Sequence, residues 1–96
     1  MAKGFWIAFY RSISNPDALA EYAKLAGPHI QAAGGKILAR GTPVKAFEFG
    51  LAQRSVVIEF ESVEKAIAAY ESPAYQAAAK LLTGAAERDI RILEGV

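Results

Sequence analysis

A chain of 96 residues can close one core and not two, because a domain of this size buries only about 60–68% of the surface its unfolded chain exposes. Eleven basic residues against ten acidic ones, interspersed along the chain, give a formal charge of +1 and no clustered basic face of the kind that binds nucleic acid. The absence of cysteine excludes disulfides, thiolate catalysis, zinc fingers and iron–sulfur clusters, and a single histidine without a carboxylate cluster argues against a metal site.

The opening Met1-Ala2-Lys3-Gly4 runs into Phe5-Trp6-Ile7-Ala8-Phe9-Tyr10, which is too short and too aromatic for a signal peptide. No run approaches the ~20 apolar residues of a membrane span, so a cytoplasmic setting without membrane contact is expected. Phe5 to Ile13 is rich in aromatic and β-branched residues and predicts the first strand. Alternation puts Phe5, Ile7 and Phe9 on one face and Trp6, Ala8 and Tyr10 on the other. Bulk on both faces predicts a central strand covered on both sides. Asn15-Pro16 then opens a helix, the asparagine as cap and the proline in the first turn. Leu19, Tyr22, Ala23, Ala26, Ile30 and Ala33 form its apolar stripe. Gly27-Pro28 predicts a kink or two abutting helices, and Gly34-Gly35 the end.

Lys36 to Arg40 predicts a second strand that Gly41-Thr42-Pro43 bends and that Val44 to Phe49 continues after a bulge. After the turn at Gly50, Arg54 to Glu61 pairs with it as an antiparallel hairpin, with Val56, Ile58 and Phe60 opposing Ser55, Val57 and Glu59. Ser62 caps a helix burying Val63, Ala66, Ile67 and Tyr70. Ser72-Pro73 starts a further helical piece that Thr83-Gly84 closes. Asp89 to Leu93 supplies the last strand. The order is the split βαβ pattern of an α+β, ferredoxin-like β-α-β-β-α-β domain over residues 1–96, a four-stranded antiparallel sheet with its helices on one face. The other face is expected to carry Trp6, Ala8, Tyr10, Leu38, Arg40, Val57, Glu59 and Leu93. That set is too apolar for open water, and with a hydrophobic fraction of 53% it predicts a homodimer through the sheets.

These stretches resemble the domain of unknown function 1330 family of the dimeric α/β barrel superfamily. Lys3-Gly4-Phe5-Trp6-Ile7-Ala8 is similar to its opening strand, and Asn15-Pro16-Asp17-Ala18-Leu19-Ala20-Glu21-Tyr22 to its first-helix start, usually Asp-Pro-x-x-Tyr-x-x-Tyr. Gly34 to Gly41 resembles its second strand, and the run from Val57-Ile58-Glu59-Phe60 through Ser62, Ala66, Tyr70, Ser72-Pro73, Tyr75 and Gln76 is the most specific part. Asn15, Leu19 and the Glu48-Phe49-Gly50 turn depart from the family pattern. The resemblance implies a ferredoxin-like dimer whose sheets form a barrel. It implies no activity, while superfamily cousins include cofactor-free monooxygenases, lactone isomerases and haem-degrading enzymes, an analogy of fold alone.

The candidate site residues follow from chemistry. His29, the only side chain that ordinarily titrates near neutrality, is either a general base or the partner of a backbone group freed by Pro28. Arg40 and Glu59, expected on the barrel face of adjacent strands, form either a carboxylate clamp and proton acceptor or an ion pair with each other or across the dimer. Trp6, Tyr10, Tyr22, Tyr70 and Tyr75 either line a pocket for a small aromatic or acyl molecule or belong to the core. Glu48 and Arg54, flanking the hairpin turn, are expected at the solvated surface. The functions left open are a small-ligand enzyme working without cofactor or metal, by proton transfer or oxygen insertion, and a non-catalytic small-molecule binding or structural homodimer. A nucleic-acid partner is set aside, because Glu59 on an exposed sheet face would repel phosphate.

Overall fold

Each helix of this chain begins where a side chain can replace a missing backbone partner. The computed structural model describes residues 2–96. Asn15 accepts from the Ala18 N–H, Ser62 from Lys65 and Ser72 from Tyr75, and proline follows the cap at Pro16 and Pro73. The elements are β1 (Gly4–Ile13), α1 (Pro16–Ala32), β2 (Lys36–Gly41), β3 (Ser55–Phe60), α2 (Val63–Glu71), α3 (Pro73–Ala79), a 3-10 turn (Lys80–Leu82) and β4 (Ala86–Glu94). The sheet is antiparallel with order β2-β3-β1-β4, the ferredoxin-like arrangement, and the helices cover one face. Gly34 ends α1 at φ +95°, where a side chain would be strained. Among the described residues no helix is long and apolar enough to cross a membrane.

Three local expectations are corrected. Around Pro28 there are not two abutting helices but the one helix α1, continuous from Pro16 to Ala32. Pro28 is exposed, as is Lys24 one turn earlier, so water can serve the carbonyl that proline leaves without a donor. Residues 42–54 form a loop instead of continuing β2, and Val44, Phe47 and Phe49 stand exposed on it, with no partner strand against which to bury a face.

The third correction concerns which face of β1 is covered. Trp6, Ala8 and Tyr10 are buried beneath the helices, and Phe5, Ile7 and Phe9 lie on the open face. Pairing carries the same parity across the sheet: Trp6 stands opposite Ile58 and Ile92, and Ile7 opposite Val57 and Arg91. The reason is the supply of partners. The Trp6 ring meets Phe60 at 6.3 Å, Tyr70 at 5.3 Å and Tyr75 at 4.8 Å between centroids, the last two nearly edge-on. Small residues of the helices, Ala26, Ala66, Ala69 and Ala78, let α1, α2 and α3 approach this aromatic layer.

Phe60, 1% exposed, closes the core where β3 leaves the sheet. Phe60→Ala should cost about 3–5 kcal/mol in urea unfolding, the usual loss for an aromatic removed from a packed interior.

Candidate functional site

Beneath the helices, one end of the sheet carries cations where a core would ordinarily be apolar. Strand β4 places Arg88 directly opposite Tyr10 of β1, with both side chains on the covered face. Above them α1 lowers Tyr22 and α3 lowers Tyr75. The two phenol oxygens are 2.6 Å apart, and Arg88 Nη1 donates to both, at 3.1 Å to Tyr22 and 3.0 Å to Tyr75. The guanidinium carbon also lies 5.2 Å from the Tyr22 ring centre and 5.8 Å from that of Tyr10, within the range of cation–π attraction. The cation is thus held without a carboxylate.

Burial is the first cause that pushes the Tyr22 hydroxyl far above the usual phenol range, reinforced by the charge Tyr75 would carry if ionised. Burial also raises Tyr75, against the pull of Arg88. Burial works against the Arg88 cation, but the phenol oxygens outweigh it and the group stays charged. Both phenols therefore keep their protons at neutral pH. Tyr75 is 1% exposed, and the two phenols share one hydrogen bond in which either oxygen can be the donor. Tyr22 also borders a cavity.

That cavity lies between α1 and the sheet, with about 50 Å³ open to the centre of a water molecule, several times the ~10–15 Å³ that one water needs. Trp6, Ile58 and Val56 belong to its sheet side, while Ala23, Ala26 and Gly27 of α1 face it from above. A methyl group added at Gly27 would meet nothing within 4 Å, so there is open space beside that residue. Three arginines border the space, Arg40, Arg54 and Arg88, and no acidic side chain does. Two donors are buried without a partner, the Trp6 indole Nε1 and Arg54 Nε.

Of the residues singled out from sequence, Trp6, Tyr10, Tyr22 and Arg40 meet around this cavity, and Tyr75 stands behind Tyr22. Glu59 and His29 are elsewhere. Glu59 pairs with Phe5 and Lys36 on the open face, and His29 is exposed on α1. Arg40 and Glu59 were expected on one face, but the pairing register of β2 slips between Ile37 and Ala39. The extra residue, Leu38, reverses the alternation, so Arg40 lies opposite Val56 on the covered side. Arg54, expected at the solvated surface, continues the Val56, Ile58, Phe60 face and reaches under the roof. Arg88 escaped notice because the predicted strand began one residue after it. The alternation Arg88, Ile90, Ile92 was the available signal. Among the described residues no three His, Cys, Asp or Glu side chains gather to hold a metal.

Residues 3–96 match the family model described as Domain of unknown function (DUF1330). No curated protein matches significantly. Among solved structures, a protein of unknown function from Rhodopseudomonas palustris superposes with a TM-score of 0.72 at 18% identity, over 99% of this chain and 83% of that one. A dimeric ferredoxin-like protein of unknown function from Thermobifida fusca gives 0.67 at 16% identity, over 97% and 91%. A proposed antibiotic biosynthesis monooxygenase from Caulobacter crescentus gives 0.60 at 14% identity, over 99% and 90%. At such identities the likeness is one of fold.

The raised phenols have a measurable consequence. Above pH ~10, where an unfolded tyrosine loses its proton, folded Tyr22 and Tyr75 still hold theirs. The folded state then binds more protons than the unfolded state, so their contribution to stability is complete below about pH 10 and declines above it. Urea midpoints recorded between about pH 9 and 11 should fall at the alkaline end, by at most ~1.4 kcal/mol per pH unit and phenol, and Tyr22→Phe should flatten that fall.

Proposed function

The chain belongs to the DUF1330 family, whose name assigns no activity, and we propose that it is a small-ligand domain, working as a homodimer in the cytoplasm, with one small organic molecule held between α1 and the sheet of each protomer. The observation that carries this reading is the cavity itself. The aromatic layer fills the rest of the covered face, yet here α1 presents two alanines and a glycine over Trp6 and Ile58, so space is kept where a leucine or phenylalanine would have closed it.

The dimer uses the other face. Phe5, Ile7, Phe9, Val57 and Leu93 form its apolar part, and Leu93 is half exposed in the single chain. A second copy covers such a face by sheet-to-sheet packing, and the dimeric Thermobifida fusca neighbour supports that assembly. Ligand and partner thus occupy opposite sides of one sheet.

A catalytic reading rests on Tyr22. In this reading Tyr75 donates within the phenol pair, and the Tyr22 O–H, whose oxygen accepts from Arg88, stabilises negative charge developing on a ligand oxygen. The covered site offers no carboxylate or histidine to remove a proton, so binding is the primary role and catalysis would rely on a substrate that is already an anion.

Native mass spectrometry tests both halves of the proposal. The protein is expected as a dimer, and Ile7→Lys, which sets a charge in the centre of the open face, should give monomers while ligand uptake persists. Gly27→Phe should keep the fold and the dimer but abolish uptake of any small molecule the parent protein takes up, because its ring occupies the cavity. Uptake undiminished in Gly27→Phe would remove the cavity from consideration.

A further inference from the structure

The charge around the cavity identifies what class of molecule belongs there. Arg40 of β2, Arg54 at the start of β3 and Arg88 of β4 converge on one small space from three strands. None of the three is in an ion pair among the described residues, whose salt bridges join Lys24 to Glu21, Lys65 to Glu61 and Arg91 to Asp89. Arg40, exposed at the rim, and the half-buried Arg54 and Arg88 set three like charges around one space, and arginine cannot relieve their repulsion by losing its proton. A lysine or histidine could. The positive charge is therefore permanent, and no acidic side chain lining the space answers it.

Two buried donors without a protein acceptor border the same space. The Trp6 indole, 1% exposed, has its Nε1–H buried without an acceptor, and Arg54 Nε is buried without one as well. Unsatisfied buried donors of this kind are uncommon and costly. Both residues border the cavity. The site thus holds a surplus of donors and a deficit of acceptors.

We infer that the cavity binds a small organic carboxylate, its carboxylate oxygens taken by the arginines and the Trp6 N–H, and its apolar body set against Ala26, Ile30 and Ile58. This rests on the proposed ligand-binding role and adds the chemical class. A planar carboxylate matches the fork of a guanidinium, and its four lone-pair directions can answer several of these donors at once. Inorganic phosphate shares the charge but has no body for the apolar side of the cavity.

Trp6 is the single tryptophan of the chain, so one indole N–H resonance reports on the site directly. The experiment titrates the intact protein with matched pairs, acetate and acetamide, isovalerate and isovaleramide, benzoate and benzamide, and follows that resonance by proton–nitrogen NMR. At least one acid should bind ten or more times tighter than its amide and move the indole proton downfield, the mark of a hydrogen bond to a carboxylate. Raising the salt concentration should weaken the acid and leave the amide unchanged. Arg54→Gln should lose tenfold or more in acid affinity and little in amide affinity. An amide equal to its acid would overturn the carboxylate assignment and leave the small-ligand role standing, as would phosphate that competes on equal terms. No binding by either member of any pair would overturn both. The indole shift is read in the unsubstituted protein, so the result does not depend on the variant folding.

Discussion

The guanidinium of Arg88 is the tie on which this architecture turns. It donates from one nitrogen to two phenols that come from different helices, and it rests near the rings of Tyr10 and Tyr22. Strand β4, strand β1, α1 and α3 therefore share one cluster. A carboxylate partner would have neutralised the cation and consumed its donors. Phenols hold it by hydrogen bonds and ring electrons and leave the charge in place. The positive character of the neighbouring cavity follows from that choice. The aromatic layer, with Trp6 edge-on to Tyr75 at 86°, keeps Tyr75 from turning away and so keeps the phenol pair aligned.

One sheet serves two surfaces, and the strand pleat keeps them apart. Trp6, Ala8 and Tyr10 build the covered side, and Phe5, Ile7 and Phe9 build the open one. Neighbouring residues of β1 thus belong to different tasks. A substitution on the open face has no direct contact with the cavity, and the reverse holds as well. The long loop of residues 42–54 lies between these worlds. Its exposed Phe47 and Phe49 extend the apolar surface beyond the strands, and the loop leads directly into Arg54.

Much of the fold was legible because its signals are local. Asn15-Pro16, Ser62 and Ser72-Pro73 announce helices through side chains that can cap, and the alternation around Val56, Ile58 and Phe60 marks a strand with one buried side. The parity of β1 was not legible. Phe5, Ile7 and Phe9 are as apolar as Trp6, Ala8 and Tyr10, and the decision belongs to distant partners such as Tyr75 and Phe60. The cavity was partly legible. Trp6, Tyr10, Tyr22 and Arg40 were singled out for their chemistry, but the space exists only because Ala23, Ala26 and Gly27 fall above it, and small residues in an apolar stripe look like ordinary packing. Arg54 and Arg88 went unrecognised because an arginine beside a turn or at a strand end usually points to water.

The slip at Leu38 decides which side of the sheet receives Arg40. Strand β2 is at the edge of the sheet, where a change of register disturbs few pairings. The ladder passes from Ile37 opposite Ile58 to Ala39 opposite Val57 and leaves Leu38 out, so deleting Leu38 would straighten the strand and keep Arg40 opposite Val56. Were Leu38 instead to take the place opposite Val57, Arg40 would fall opposite Ser55 and leave the cavity for the open face without a single substitution. One residue left out of an edge ladder thus sets which side of the sheet carries this charge, while the packed centre stays as it is.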